Sequence, residues 1–578
     1  MDSSIMVNIG IQRFDRLIEE NKFYIDKTGF IREWWETGSE VTLITRPRRF
    51  GKTLNLSMIE CFFSNQYAGR GDLFEGLSIW SDGSLEELEK YRQIQGTFPV
   101  IFMSFAGIKA GTVEGMKAAI KQLITNVYGR YSDIIKADVF SENDRKCFDS
   151  VNDDMKDEMV AIAINRLCIY LKKFYGKDVI ILLDEYDTPM QEAWLSGYWE
   201  EAVAFLRSFF DNTFKTNSQL YKGIITGITR ISKESIFSDM NNLDVITTTS
   251  NQYATAFGFT EEEVFGALDE VGLGEHKQKV KEWYDGFTFG TFTDIYNPWS
   301  ITSFISKKGK YKAYWTNTSG NGLVNSLIQG GNTGIKQTME ELLQGKSFKA
   351  EIDEQIVFKQ LGGDNNAVWS LLMATGYLKI LKTEAEECDD AIAAEDDVWY
   401  TLTLTNFEVR QMFRKMVKGW FRGDTQVVYN EFIRSMLNDN VRMMNVFMNK
   451  VARNTFSSFD SGNKPSKEAE PERFYHGFVL GMVVNLADAY KIRSNRESGY
   501  GRYDVMLEPL DRSGKAFIFE FKVLNPYEDE KTLEDTVANA HAQIEEKQYE
   551  AELIAEGFSL GQIRKYGFAF QGKKCLIG

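Results

Sequence analysis

Residues 41–57 read Val-Thr-Leu-Ile-Thr-Arg-Pro-Arg-Arg-Phe-Gly-Lys-Thr-Leu-Asn-Leu-Ser, and no other stretch restricts the fold as tightly. A short apolar run containing Val41, Leu43 and Ile44 reads as a buried strand, a basic loop follows, and Gly51-Lys52-Thr53 opens a helix. Strand, loop and helix in that order make a phosphate cradle, in which loop N–H groups and the positive end of the helix dipole face the anion. Lys52 then reaches the β- and γ-phosphates, and the Thr53 hydroxyl reaches a Mg²⁺ ion. Arg48, Arg49, Phe50, Gly51, Lys52, Thr53 and Leu54 are therefore candidate nucleotide contacts. The full pattern begins with a glycine five residues before Gly51; Arg46 stands there, and Pro47 removes one donor from the loop. On these residues alone, a surface turn rich in arginine competes with the nucleotide reading.

A second motif weakens that competitor. Asp178-Val-Ile-Ile-Leu-Leu-Asp-Glu-Tyr-Asp187 is an apolar run ending in Asp184-Glu185. Parallel strands covered on both faces are continuous apolar runs, and their C-terminal ends carry the site. Asp184 is placed to hold the Mg²⁺ shell, and Glu185 to orient and deprotonate the attacking water. Phe98–Phe105 and Gly223–Thr229 read as further strands, and residues 111–129 and 155–174 as helices. Thr226 is a candidate γ-phosphate sensor and Arg230 a candidate stabiliser of transferred charge, with a structural pairing of Arg230 to Glu234 or Asp239 as the plain alternative. Upstream, Asp26 is placed to cap a helix carrying Phe30, Ile31, Trp34 and Trp35, which read as core.

At 578 residues the chain has room for about three or four domains of ordinary size. A net charge of −16 argues against coating nucleic acid wholesale, but not against a local basic cleft. Cys61, Cys147, Cys168, Cys388 and Cys575 are far apart, without metal-ligand spacing, and fit free thiols in a reducing compartment. No apolar run reaches the roughly 18 residues that cross a bilayer, and no signal peptide is evident. The expectation is a soluble cytoplasmic protein with no membrane partner.

Residues 260–385 read as helical and apolar-rich, and the acidic run from Glu384 to Asp397 as a solvated loop. Tyr400–Leu404 restores a strand pattern, residues 406–451 read as amphipathic helices, and Ser457–Pro471 is loose. A helix over Glu472–Tyr490 is followed by the loop-like stretch Ser494–Asp504, then by strands over Tyr503–Glu508 and Ala516–Val523. In the second of these strands Glu520 and Lys522 project from one face. Asp504 joins them only if the hairpin register sets it opposite Glu520 or Lys522; a loop symmetric about the Arg512–Ser513 bond sets it opposite Phe521, on the wrong face. An odd-residue loop or a bulge is therefore expected. Asp504 and Glu520 would then suit Mg²⁺ or Mn²⁺, with Lys522 positioning a water and stabilising negative charge. The bland alternative is a surface ion pair. Arg493, Arg496, Arg502, Lys515, Lys573 and Lys574 lie close by in sequence and are candidate phosphate contacts; nothing suggests base readout. His476 and His541 read as core histidines.

The words Tyr24-Ile-Asp-Lys-Thr28, Arg46-Pro-Arg-Arg-Phe-Gly-Lys-Thr53, Leu183-Asp-Glu-Tyr-Asp187 and Thr226-Gly-Ile-Thr-Arg230 resemble the AAA-ATPase-like domain of bacterial proteins that also carry a C-terminal PD-(D/E)XK nuclease-like domain. The resemblance continues through Trp283-Tyr-Asp-Gly-Phe287, Tyr296-Asn-Pro-Trp-Ser300, Tyr314–Ser319 and Ser494–Asp504, and Arg46 in place of the first glycine is usual in that family. It implies an α/β fold: a P-loop NTPase parallel sheet with a helical lid, then an α/β PD-(D/E)XK domain. The expected segments are 1–258 for the ATPase, 259–385 for a lid or linker that a winged-helix element would suit, 386–470 for a connector and 471–578 for the nuclease-like domain. Asp504, Glu520 and Lys522 match that superfamily's active site, and Glu472 matches best the further acid its N-terminal helix often supplies. Gln543 and Tyr549 lie near, without matching, the Gln/Tyr motif of RecB-like members, and stay outside the core site. The implied activity is an ATP-dependent nuclease using ATP and Mg²⁺ or Mn²⁺ on nucleic acid, with DNA favoured over RNA and a homo-oligomer left open. The alternative is a nucleotide-switched binding protein whose nuclease-like domain only grips a partner.

Overall fold

The computed structural model describes residues 7, 9–230, 236–237, 240–317, 322–354, 361, 364–385, 398–420, 424–459, 478, 481, 485–498, 501–525, 530–571 and 574–578. Two compact units emerge: Met1–Ser319 with Ala350–Tyr400 and Thr405–Glu408, and Gly320–Lys349 with Thr401–Leu404 and Val409–Gly578.

The first unit is built on five parallel strands, Val41–Thr45 (β1), Val100–Ser104 (β2), Val179–Asp184 (β3), Leu220–Gly227 (β4) and Leu243–Ile246 (β5), in the order β2-β3-β4-β1-β5. Every residue of β1 and β3 is buried. This is why both read as unbroken apolar runs rather than alternating ones. The register pairs Thr45 with Gly227 and Ser104 with Asp184, so the C-terminal ends of neighbouring strands finish level. The helix Lys52–Phe63 packs Leu56, Met58, Ile59, Phe62 and Phe63 into a core that also takes Phe30, Ile31 and Trp34. Asp26 does not cap the helix Gly29–Glu36. Its carboxylate accepts from the N–H and hydroxyl of Thr28 (2.7 Å each) and from the N–H of Ser78 (2.7 Å), pinning two segments together.

The stretch read as helical and apolar-rich after residue 260 contains a small antiparallel sheet, Phe259–Thr260, Phe292–Tyr296 and Phe287–Phe289. The physical reason is local. Phe287-Thr-Phe289 and Phe292-Thr-Asp-Ile-Tyr296 are aromatic and β-branched runs around Gly290, which sits at φ 56° where L-residues are strained.

In the second unit a five-stranded sheet runs Tyr490–Ser498, Gly501–Pro509, Ala516–Val523, Ile563–Gln571, Lys574–Ile577, in sequence order. All neighbours are antiparallel except Ala516–Val523 against Ile563–Gln571. That parallel pair needs a crossover, which includes the helix Leu533–Glu546. The loop-like reading of Ser494–Asp504 is corrected: Tyr490–Ser498 is, among the described strands, the edge of its sheet, where a polar sequence is tolerated. Most of the expected helix Glu472–Tyr490, including Glu472 and His476, lies outside the described residues, as do Cys388, Lys573 and most of the acidic loop.

The helix Thr333–Leu343 belongs to this unit and carries Glu340, fully buried, accepting from the Ser494 hydroxyl at 2.6 Å and the Gln344 amide at 3.3 Å. Burial pushes its carboxyl up to about 7. A folded-state value above the unfolded one gives stability that is complete below the unfolded pKa and lost as pH rises through about 7. Glu340→Gln removes this loss. We expect its melting temperature to match wild type near pH 5 and to exceed it by a few °C, on the order of 3, at pH 8, read by thermal unfolding across pH.

Candidate active sites

The first site forms at the level C-terminal ends of β1, β3 and β4. The loop after β1 turns twice through left-handed backbone, at Arg49 (φ 67°) and Gly51 (φ 80°), before the helix begins at Lys52. Arg46 does not face an anion. Its buried guanidinium turns under the loop, donates to the carbonyls of Thr45 (3.0 Å), Thr247 and Gln252 (3.2 Å), and lies 4.5 Å from the Phe289 ring centroid. The side chain in the place of the expected glycine thus holds the loop from beneath. Phe50 is likewise buried, with Phe287 at 4.8 Å and Phe289 at 5.4 Å, so only its backbone is left for a phosphate. Arg49 is exposed and stacks over Trp299 at 4.3 Å. Leu54 packs on the core.

Lys52 is buried and donates to the carbonyls of Arg46 and Pro47, both at 2.8 Å. Burial lowers its pKa, while Glu185, Asp184 and Asp187 oppose the drop. Asp184, 1% exposed, accepts from Thr53 Oγ1 (2.7 Å) on one oxygen and Thr226 Oγ1 (2.6 Å) on the other. Burial raises its pKa and the two hydroxyls pull it down. Glu185 follows at φ 52°, which swings its half-buried side chain out of the strand's alternation; its Oε2 accepts from Thr188 Oγ1 at 3.2 Å. The structure therefore gathers Lys52, Thr53, Asp184, Glu185 and Thr226. Arg230 is half-buried and its charge acts on Glu354; Glu234 and Asp239, its sequence-level alternatives, lie outside the described residues. Sequence reasoning assigned nothing to Asp187, although the spacing Asp-x-x-Asp at a strand end was there to be seen.

The second site forms on the sheet of the second unit. Val505 pairs with Phe519 and Leu507 with Phe517, leaving the odd nine residues 508–516 between Leu507 and Phe517. Continuing the register one step sets Asp504 opposite Glu520, and Asp504 Oδ2 accepts from the N–H of Phe521 at 2.7 Å. Glu520 is 4% exposed. Burial, reinforced by the Asp504 charge, pushes its carboxyl up to about 8. Gln543, on the helix Leu533–Glu546, bridges the pair: its amide nitrogen donates to Glu520 Oε1 and to Tyr549 Oη (2.9 Å), and its oxygen accepts from Lys522 Nζ (2.8 Å). Gln543 and Tyr549, left outside the core site on sequence grounds, are within it. Gly567, paired with Glu520, brings that helix close: a Cβ there would stand 2.9 Å from Ala540 Cβ and 3.1 Å from the Val537 carbonyl.

Among the described residues Glu520 Oε2 is buried without a hydrogen-bond partner, beside a second carboxylate. That donor set fits a hard divalent cation, held by Asp504 and Glu520. Among the described residues no group of three or more His, Cys, Asp or Glu side chains comes together to hold a metal, and Glu472 lies outside them. Of the expected phosphate contacts, Arg493 is spent: it is buried among Glu508, Glu552 and Glu556. Lys515 pairs with Asp439 at 2.6 Å, and Lys574 is exposed.

Residues 8–237 match the family described as predicted AAA-ATPase, and residues 470–578 match the PD-(D/E)XK nuclease superfamily. A curated relative, the uncharacterized protein in the vnfD 5′ region of Azotobacter chroococcum mcd 1, is 27% identical over 316 residues, 54% of this chain and 53% of that protein, so the match spans about half of its length. Among solved structures, the Walker-type ATPase PABY2304 of Pyrococcus abyssi covers 68% of this chain and 97% of its own at 14% identity, with a TM-score of 0.34, too low to rest a fold on. No helix among the described residues is long and apolar enough to cross a membrane.

The close approach at Gly567 has a measurable consequence. Gly567→Ala should destabilise the second unit by about 1–3 kcal/mol, because the added methyl meets backbone as well as a side chain. Thermal unfolding reads the loss; an unchanged melting temperature would mean that the helix has room to retreat.

Proposed function

From a chain that carries a predicted AAA-ATPase domain and a PD-(D/E)XK nuclease-superfamily domain, we propose a protein that binds and hydrolyses ATP at the first site and cuts the phosphodiester backbone of nucleic acid, DNA foremost, at the second. The observation that carries this reading is the same at both sites: a buried carboxylate on a strand, a lysine within reach of it, and neutral donors rather than cations as its partners.

At the first site, loop N–H groups and Lys52 receive the β- and γ-phosphates, with Lys52 exchanging the carbonyls of Arg46 and Pro47 for phosphate oxygens. Thr53 and Asp184 hold the Mg²⁺ that accompanies ATP. Glu185 orients the attacking water and takes its proton. Thr226 shares Asp184 with Thr53, so a change around the γ-phosphate reaches β4 through one carboxylate.

At the second site Asp504 and Glu520 hold Mg²⁺ or Mn²⁺. Bound there, the ion supplies a polarised phosphodiester and a water of lowered pKa. Lys522 Nζ positions that water and offsets charge developing on the phosphorus oxygens. Gln543 fixes the separation of Lys522 and Glu520 through one planar amide. Sequence-specific recognition is not asked of this site; backbone contacts suffice. The setting we propose is the bacterial cytoplasm, in keeping with free Cys61, Cys147, Cys168 and Cys575.

The test is incubation with linear, circular and single-stranded DNA and with RNA, with and without Mg²⁺ or Mn²⁺ and ATP. Wild type should cut in the presence of metal, Glu520→Ala should lose at least about a hundredfold of that rate, and Lys52→Ala should lose ATP hydrolysis. ATP binding with no cutting under any condition would replace the nuclease by a nucleotide-switched binding protein.

Metal affinity should also depend on pH with a definite sign. Below about 8 the metal-free Glu520 carboxyl keeps its proton, which Mn²⁺ must displace. Mn²⁺ affinity measured by calorimetry should therefore rise from pH 6 to pH 8, by up to about tenfold per unit. Glu520→Gln should bind weakly at every pH.

A further inference from the structure

Asp187 is wholly buried, three residues past the acid that meets Thr53. One of its oxygens accepts four hydrogen bonds, from the N–H of Ile228, the N–H and hydroxyl of Thr229, and the side-chain amide of Gln191, each at 3.0 Å. Its other oxygen is buried without a hydrogen-bond partner among the described residues. Four donors on one carboxylate oxygen form a charge-assisted cluster, each bond of a kind stronger than its neutral counterpart.

The cluster joins three pieces of the first site. Gln191 passes it to the phosphate loop, because its amide oxygen accepts from Arg48 Nη2 at 3.2 Å. Ile228 and Thr229 form the bend that follows β4, two and three residues past Thr226, whose hydroxyl bonds Asp184. Tyr186 closes the other side: its N–H donates to the Thr226 carbonyl at 3.0 Å and its hydroxyl to the Thr229 carbonyl at 2.8 Å. Gly227 is required between them, since a Cβ would stand 2.5 Å from Tyr186 Cε1 and 3.0 Å from the free oxygen of Asp187. The left-handed turn at Glu185 is what lets Asp184 and Asp187 both point into this region from one short segment.

We infer that Asp187 is a positioning residue for ATP hydrolysis: through Gln191 and Arg48 on one side and Ile228 and Thr229 on the other, it fixes the residues 226–229 relative to the phosphate loop. The inference rests on the ATPase reading above. The hydrogen bonds of Asp187 run to Gln191, Ile228 and Thr229 rather than to Lys52 or Thr53, while its charge acts on Lys52, so turnover should suffer more than binding. When the phosphate loop engages ATP, Thr226 stands at its hydrolytic distance only while the Asp187 cluster is intact.

The experiment is steady-state ATP hydrolysis together with equilibrium binding of ATP and of a non-hydrolysable analogue, on the full chain, for wild type, Asp187→Asn and Gln191→Leu. Asp187→Asn keeps the shape and removes the charge; Gln191→Leu, at a half-buried position, removes the Gln191 bonds to Asp187 and from Arg48 and leaves those from Ile228 and Thr229, so it guards against a variant that does not fold. We expect kcat to fall at least tenfold in Asp187→Asn and about threefold or more in Gln191→Leu, with Kd for the analogue within threefold of wild type in both. The double variant should lose no more than Asp187→Asn alone, because both changes break one cluster. Amide hydrogen exchange at Ile228 and Thr229 should quicken in Asp187→Asn. A kcat unchanged in both variants while wild type turns over, or affinity and kcat falling in parallel, would overturn the positioning role and leave the ATPase standing. A wild type that binds ATP and never hydrolyses it would remove the ATPase reading and this role together.

Discussion

A carboxylate taken out of water must find partners, and the partners chosen for Asp184 decide what the first unit can do. Thr53 comes from the helix after the phosphate loop and Thr226 from β4, so a single buried acid on β3 joins three elements. A lysine or arginine in either place would have cancelled the charge outright. Two hydroxyls satisfy the lone pairs while leaving the negative charge, which is why burial still raises its pKa. The parallel register makes the meeting unavoidable: with Thr45 beside Gly227 and Ser104 beside Asp184, the strand ends finish together.

The phosphate loop solves a different problem. Without the usual first glycine it must still curl tightly, and Arg46 supplies from below what glycine would have supplied by conformational freedom. Its guanidinium ties the carbonyls of Thr45, Thr247 and Gln252, and Phe289 backs its flat face. Arg49 and Gly51 take the left-handed backbone instead. The basic character of the loop, which looked like phosphate-binding charge, is thus divided: Arg46 is structural, Arg49 is stacked over Trp299, and Arg48 reaches Gln191.

What could be read from the sequence follows from how locally each feature is encoded. Buried parallel strands announce themselves as apolar runs, so β1 and β3 and the acid ending β3 were legible. The hairpin parity was legible too, because a period of two leaves only one parity that puts Asp504 and Glu520 on one face. β5 was not, since Leu243-Asp-Val-Ile246 is short and its partner β1 is some two hundred residues away. The edge strand Tyr490–Ser498 hid behind its polar composition. Gln543 was dismissed on motif spacing, yet its place is set by Gly567, a residue far along the chain that matters only for the Cβ it lacks. Asp187 was not legible, because nothing local shows that Ile228 and Thr229 will fold back onto it.

The two sites, each within its own unit, arrive at one electrostatic solution from different folds. Glu520 is partnered by the neutral amide of Gln543 and keeps a second oxygen unpartnered, as Asp184 is partnered by neutral hydroxyls. Arg493 shows the contrasting arrangement in the same unit, where a buried cation pairs directly with Glu508, Glu552 and Glu556. Ion-paired acids do not present their full charge to a divalent ion. Acids held by neutral donors do, at the cost of a raised pKa in the metal-free state, and the lysine beside each carboxylate is bound elsewhere: Lys52 by loop carbonyls and Lys522 by the Gln543 oxygen. Holding acid and lysine near each other without letting them pair keeps both charges in reserve for a phosphate and its ion, and it is this separation that distinguishes the two candidate sites from the ion pairs that surround them.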